Sequence, residues 1–361
     1  MNRNKVVILT LLSLVFAVMS YGIASAISPT DAASKALAWL KTQQNDDGGF
    51  GTGFAPGSAV GPAADAIVAI ASAGQDASAW TMNGVSPIDY LRVQVGAGQV
   101  RLPGEIAKTI LALAASGQDP RAFGGRNLIA DLKGRLDAST GVFSASMYDQ
   151  ALAILALSHA GEAVPDAAVS VLLDAQTVEG GWAFDAQTIA GAADSNTTAL
   201  AVQALVAAGR KNDTGRALDY FRRVQNPDAG WTYQTPSAFG VDTDANSTAL
   251  GIQAILASGD SVSNWAQGGS DPVGALLSLQ NPDGSFSFNR VFPAPNVLAT
   301  LQAIPALYGV SLAQLRSVPA SGVSAPALLP EAGGVFNAAA PAVLGLALLV
   351  AGYRVRRVRV W

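Results

Sequence analysis

The chain alternates between two kinds of apolar segment. One kind is apolar on nearly every side and rich in Ala: IVAIASAG, TILALAASG, ALAILALSHAG, TALAVQALVAAG and TALGIQAILASG. Helices of this kind must be covered all round. The other kind, such as ASKALAWLKTQQ and GRALDYFRRVQN, sets Lys and Arg on one face against Leu, Trp, Tyr or Phe on the other, as an outer layer requires. The all-apolar segments end at Gly74, Gly117, Gly161, Gly209, Gly259 and Gly309, at intervals of 43, 44, 48, 50 and 50 residues. Glycine suits the position after a helix because it takes the left-handed conformation without steric cost. Such self-similarity marks a repeat architecture. Six helix pairs predict an all-α fold, an (α/α)6 toroid with inner helices around a central cavity. An open solenoid of the same pairs is the alternative, although no polar capping repeat is visible.

A second signal lies between the helices of a pair. Gln44, Gln176, Gln225 and Gln280 each precede an aromatic residue by six positions: Phe50, Trp182, Trp231 and Phe286. Gly49, Gly181 and Gly230 stand just before three of these aromatics, and Ser285 before the fourth. Gln94 and Phe143 match the pattern in part. Gln-x-x-x-x-Gly-Trp resembles the QW repeat of squalene–hopene cyclases and protein prenyltransferases. The segments Asp194-Ser-Asn-Thr-Thr-Ala-Leu and Asp244-Ala-Asn-Ser-Thr-Ala-Leu resemble bacterial surface proteins with transcobalamin-like toroids. The resemblance spans residues 31–315 and implies that Trp182, Trp231, Gln176 and Gln225 tie neighbouring outer helices together.

The ends of the chain differ from its middle. Residues 1–26 join a basic start (Arg3, Lys5) to an apolar run and Ala24-Ser25-Ala26, which predicts a cleaved secretory signal. Residues 27–316 are the repeat domain, and 317–334 a linker of Pro, Ala, Ser and Gly. Residues 335–353 have the length and apolarity of a membrane span. Arg354, Arg356, Arg357 and Arg359 follow in a basic tail, 354–361, that places the repeat domain outside the cell membrane. Leu329-Pro330-Glu331-Ala332-Gly333 resembles a cell-wall sorting signal. Ala332 replaces its usual Thr, which favours a plain anchor. The two terminal segments hold six of the 22 basic residues and none of the 26 acidic ones, so the exterior part carries a net charge of −10. That excludes a nucleic-acid partner. No protein partner is indicated.

Candidate chemistry gathers where inner helices begin. Asn196, Asn246 and Asn296 each lie thirteen residues before a closing glycine, and Asp194 and Asp244 fifteen. A ring would set these positions, with Asp242, side by side on its rim. Helix capping is the competing role, and it is compatible with ligand contact. Gln203 and Gln253, six residues before Gly209 and Gly259, are polar residues inside apolar helices and need partners.

The cyclase resemblance implies an Asp-x-Asp-Asp acid at the start of an inner helix. Here Asp244-Ala245-Asn246-Ser247 puts an amide at the acid position. The shifted frame, with Asp242 and Asp244 as the two acids, leaves the helix start. The prenyltransferase zinc set needs Cys and His, but the chain has no Cys and only His159. That His sits near a helix end, where it would satisfy carbonyls. Asp242-x-Asp244-x-Asn246 opens like a calcium loop, but Ser247 and Gln253 replace its Gly and Glu. No metal or cofactor is therefore expected. The expected function is a membrane-tethered, extracytoplasmic binding module for a small amphipathic or corrinoid-like ligand. Asp194, Asn196, Gln203, Asp242, Asp244, Asn246, Gln253 and Asn296 are its contacts. A squalene–hopene type cyclase and a structural surface spacer are the alternatives.

Overall fold

The computed structural model describes residues 27–237 and 240–318, all within the first of two compact units, Met1–Ser321. The predicted signal, anchor and basic tail lie outside the described residues, as does the Leu329–Gly333 motif. No described helix is long and apolar enough to cross a membrane.

Twelve α-helices form six pairs among the described residues. The outer members are α1 (Pro29–Lys41), α3 (Pro87–Gly96), α5 (Leu128–Lys133), α7 (Asp166–Asp174), α9 (Gly215–Val224) and α11 (Pro272–Leu277). The inner members are α2 (Val60–Ser72), α4 (Pro103–Ala115), α6 (Met147–His159), α8 (Ser195–Ala207), α10 (Ala245–Ser258) and α12 (Val297–Leu307). Each inner helix packs on the next, and α12 packs back on α2 and on α1. The ring is closed, and the open-solenoid alternative falls. One short ribbon, Phe286–Ser287 antiparallel to Pro295–Asn296, interrupts the helical pattern.

The inner helices are buried almost throughout; α10 buries twelve of its fourteen residues. The six closing glycines all have φ between +66° and +76°, the conformation a helix stop requires. Gly230 precedes its Trp because a Cβ there would stand 2.2 Å from Thr243 Cγ2. Gly251, inside α10, leaves the space that the Trp231 ring fills.

Polar staples join every pair to the next. Gln44 Nε2 donates to its own turn at Gly48 O (2.9 Å) and across to Trp80 O (3.0 Å). Gln225 does the same to Ala229 O and Trp265 O. Gln280 crosses the seam, donating to Gly284 O (3.0 Å) and to Ala32 O in α1 (2.8 Å). Elsewhere the bridge has a different donor: Arg126 to Val100 O, Gln150 to Ala168 O, and Arg216 to Gln176 Oε1 and Thr177 O. Trp182 and Trp231 anchor each turn to its outer helix through indole bonds to Leu172 O and Phe221 O.

The segment after α12 crosses the end of the ring where the inner helices finish. Leu312 N donates to Gln203 Oε1 (2.7 Å), and His159 Nε2 donates to Leu312 O (2.5 Å). Val318 N bonds Ala115 O, and Leu312, Leu315 and Val318 cover Val68, Ala71 and Ala115. This end is thereby capped.

Replacing Gln280 by Ala leaves the Ala32 and Gly284 carbonyls without their donor at the seam. The expected loss is about 1–3 kcal/mol of unfolding free energy, read from urea denaturation. A change within error would show that the seam does not depend on this staple.

Candidate functional site

The inner helices start at one common end. Met147 N bonds Phe184 O, Ser195 N bonds Tyr233 O and Ala245 N bonds Phe288 O, so each of these starts is tied to the loop of the following pair. The loops at this end expose Phe54, Ile189, Val241 and Phe292, giving the mouth an apolar border.

Because the pairs repeat around an axis, an equivalent position of each inner helix faces inward. In α12 it is Gln302, six residues after its cap as Leu200 and Leu250 are after theirs, while Thr300, nine before Gly309, is bonded to Phe286 N and Asn296 O instead. Nine residues before the closing glycine stand Asp65, Lys108, Leu152, Leu200 and Leu250. All five line a central hollow of about 50 Å³, together with Leu111, Tyr148, Gln253, Leu301, Gln302 and the capping Leu312. Its wall is divided by chemistry. The first two inner helices contribute a charged pair, and the next three contribute leucines.

Lys108 Nζ lies 2.7 and 3.0 Å from the two oxygens of Asp65, and each side chain is 22% exposed. Burial disfavours the Lys108 charge. The Asp65 carboxylate, helped by Tyr148 and Asp149, more than offsets this and holds Lys108 above the ordinary lysine range. Burial raises the Tyr148 phenol, opposed by Lys108. Burial also raises Asp149, opposed by its bond from Ser144 and by Lys108.

The residues expected at the rim take three different positions. Asp194, Asp244 and Asn296 cap α8, α10 and α12, accepting from Thr197 N (2.7 Å), Ser247 N (2.7 Å) and Ala299 N (2.9 Å). Asn196 and Asn246 are half-buried one residue inside their helices. Asn246 Nδ2 donates to Gln302 Oε1 at 2.9 Å and so reaches the hollow through a neighbour, while Asn196 Oδ1 is buried without a partner. Asp242 is exposed, two residues ahead of the cap. Gln203 and Gln253 lie deeper. Gln203 is held by the capping segment, whereas Gln253 lines the hollow and its buried Oε1 has no partner.

Asp65, Lys108, Tyr148 and Gln302 escaped the sequence reading. The available signal was a charge at the register where later repeats carry Leu.

Burial of the two caps shifts their acidity. Asp194 is pushed up to about 7, chiefly by burial, against the bonds it accepts from Thr197. Asp244 is pushed up to about 6 for the same reason, against bonds from Ser247. Neither lines the hollow. The carboxylate that does, Asp65, is ion-paired, which is the wrong state for a proton donor. Among the described residues no group of three His, Asp or Glu side chains is placed to hold a metal ion.

No family model and no curated protein matches the chain. Solved structures with the same fold do. The apo type II terpene cyclase MstE from Scytonema is similar at a TM-score of 0.56 and 14% identity, over 78% of this chain and 97% of that one. An unsaturated glucuronyl hydrolase specific for heparin gives a TM-score of 0.56 at 10% identity, over 78% and 96%. A glycosidase gives 0.53 at 11%, over 78% and 95%. The chain therefore has the α/α toroid fold; at these identities the likeness extends no further.

The caps make stability depend on pH. Between about pH 4 and 7 the unfolded Asp194 has lost a proton that the folded one keeps, so stability falls as pH rises through that window. Asp194→Asn retains the capping oxygen and cannot ionise. Urea denaturation across pH 4–8 should show a smaller fall in this variant than in the parent chain; equal slopes would contradict the buried-acid assignment.

Proposed function

We propose that the toroid binds a small amphipathic molecule in its hollow, entering at the mouth where the inner helices begin. One observation carries this reading: the hollow is lined by the Asp65–Lys108 pair on one arc and by Leu152, Leu200 and Leu250 on the next three helices, with Gln253 and Gln302 as further polar groups. A polar head and an apolar body would each find a matching wall. The fold lends support, since a MstE variant of the same architecture was solved with geranylgeranyl dihydroxybenzoate, its substrate. The capped far end makes the hollow a cup rather than a channel.

Two alternatives fit less well. A cyclase needs a strong acid facing its substrate, whereas Asp65 is paired and Asp194 is turned into its cap. Pockets for drug-sized ligands run to about 300–1,000 Å³, so a hollow of about 50 Å³ suits neither a folded polyene nor a corrin. A mere spacer has no need of an ion pair or of an unsatisfied amide at its centre. The reading includes the tether. The signal at 1–26 and the apolar run at 335–353 before the Arg tail support display outside a cell membrane.

Native mass spectrometry of the full chain, purified without added ligand, should find a bound small molecule. Leu200→Trp, which fills the hollow, should lose it. Retention of the molecule by this variant would place binding elsewhere. Deleting residues 335–361 should move the chain from the membrane fraction to the soluble fraction; persistence in membranes would refute the tether.

A further inference from the structure

Gln203 and Gln253 hold one register in successive repeats, yet they are satisfied differently. Gln203 Oε1 accepts the backbone N–H of Leu312 at 2.7 Å. Gln253 is 2% exposed, lines the hollow and leaves Oε1 without a donor. A buried acceptor of this kind favours any ligand that brings it an N–H or O–H. Across the same hollow, both hydrogen bonds of Lys108 go to Asp65, while an ammonium has three protons. An oxygen on the ligand can use the third. The Asp65–Lys108 pair carries no net charge, so a charged head gains from one member what it loses to the other.

We propose that the hollow takes an uncharged head that both donates and accepts, a primary carboxamide or a hydroxyl, on a short apolar body. This rests on the hollow being a ligand site. Gln253 Oε1 receives the donor, Lys108 supplies a proton to the oxygen, and Leu152, Leu200 and Leu250 cover the body. The space of about 50 Å³ holds roughly four water-sized groups at most, which limits the head and the part of the body inside the hollow, together, to about that many non-hydrogen atoms.

Four probes of matching size separate the possibilities: acetamide, propan-2-ol, acetone and acetate. The full chain, with ¹³C-labelled leucine methyls, is titrated with each. The methyls of Leu111, Leu152, Leu200, Leu250 and Leu301 report the hollow. Acetamide or propan-2-ol should shift them at about tenfold lower concentration than acetone or acetate, the effect of one satisfied buried group. Which of the two acts more strongly assigns amide or hydroxyl. Gln253→Leu, and Gln253→Met as a closer match in length, should abolish the preference over acetone. If acetone or acetate matches the donors, or the preference survives in both variants, the assigned head is wrong although the hollow binds. If no probe moves these methyls, the hollow is not a ligand site, and the functional reading beneath the proposal fails with it.

Discussion

A helix that is apolar on every side cannot stand at an edge. Each inner helix is covered on one flank by its outer layer, and the remaining flanks need neighbours of the same kind. In a row of six, the first and last would each leave a strip of Ala, Leu and Ile in water, at about 25 cal/mol for each Å² exposed. Packing α12 on α2 removes both strips. Alanine and the closing glycines let the helices approach closely and stop cleanly, so closure requires no special segment. The staples then fix the spacing of the turns at every junction, including the seam between Gln280 and Ala32.

Closure also decides what lies on the axis. Once six similar helices surround a line, each must turn one of its positions toward it, whatever residue that position carries. Three repeats place leucine there, two place the members of an ion pair, and the sixth places Gln302. An ammonium alone among leucines would be strongly disfavoured, and its partner on the adjacent helix is what makes it tolerable. The segment carrying Leu312 shuts one end by giving its backbone groups to Gln203 and His159. Terpene cyclases and glycosidases build rings of the same kind, so the ring alone fixes no chemistry. What distinguishes this ring is the divided wall of its hollow.

Much of this was legible in the sequence because it obeys local rules. The closing glycines, the two kinds of helix and the glutamine-to-aromatic spacing each report a constraint felt within a few residues. The weak second and third repeats have a physical reason: Arg126 and Gln150 make the bridges there, so neither Gln94 nor Phe143 needed to keep the pattern. The inward direction was not legible. A helix that is apolar all round does not mark which face sees the axis, and Asp65 and Lys108 stand out only when repeats are compared at fixed distance from their glycines. Polar residues at the helix starts drew the reading toward Asp194, Asp244 and Asn296, where the demands of capping already account for them. The capping role of Leu312 had no local signature, since it depends on side chains more than a hundred residues away.

The absence of cysteine makes the ring's closure directly measurable, because any introduced thiol is the sole labelling site. Lys35 on α1 and Pro282 beyond α11 are exposed on either side of the seam, where the Lys35 carbonyl meets Gly284. Spin labels at Lys35→Cys and Pro282→Cys, read by pulsed dipolar spectroscopy, should give one narrow distance at the short end of the measurable range. An open array of six pairs packed at about 10 Å per helix would separate them by roughly 50 Å. That result would remove the closed ring, and with it the hollow and every role assigned to its lining.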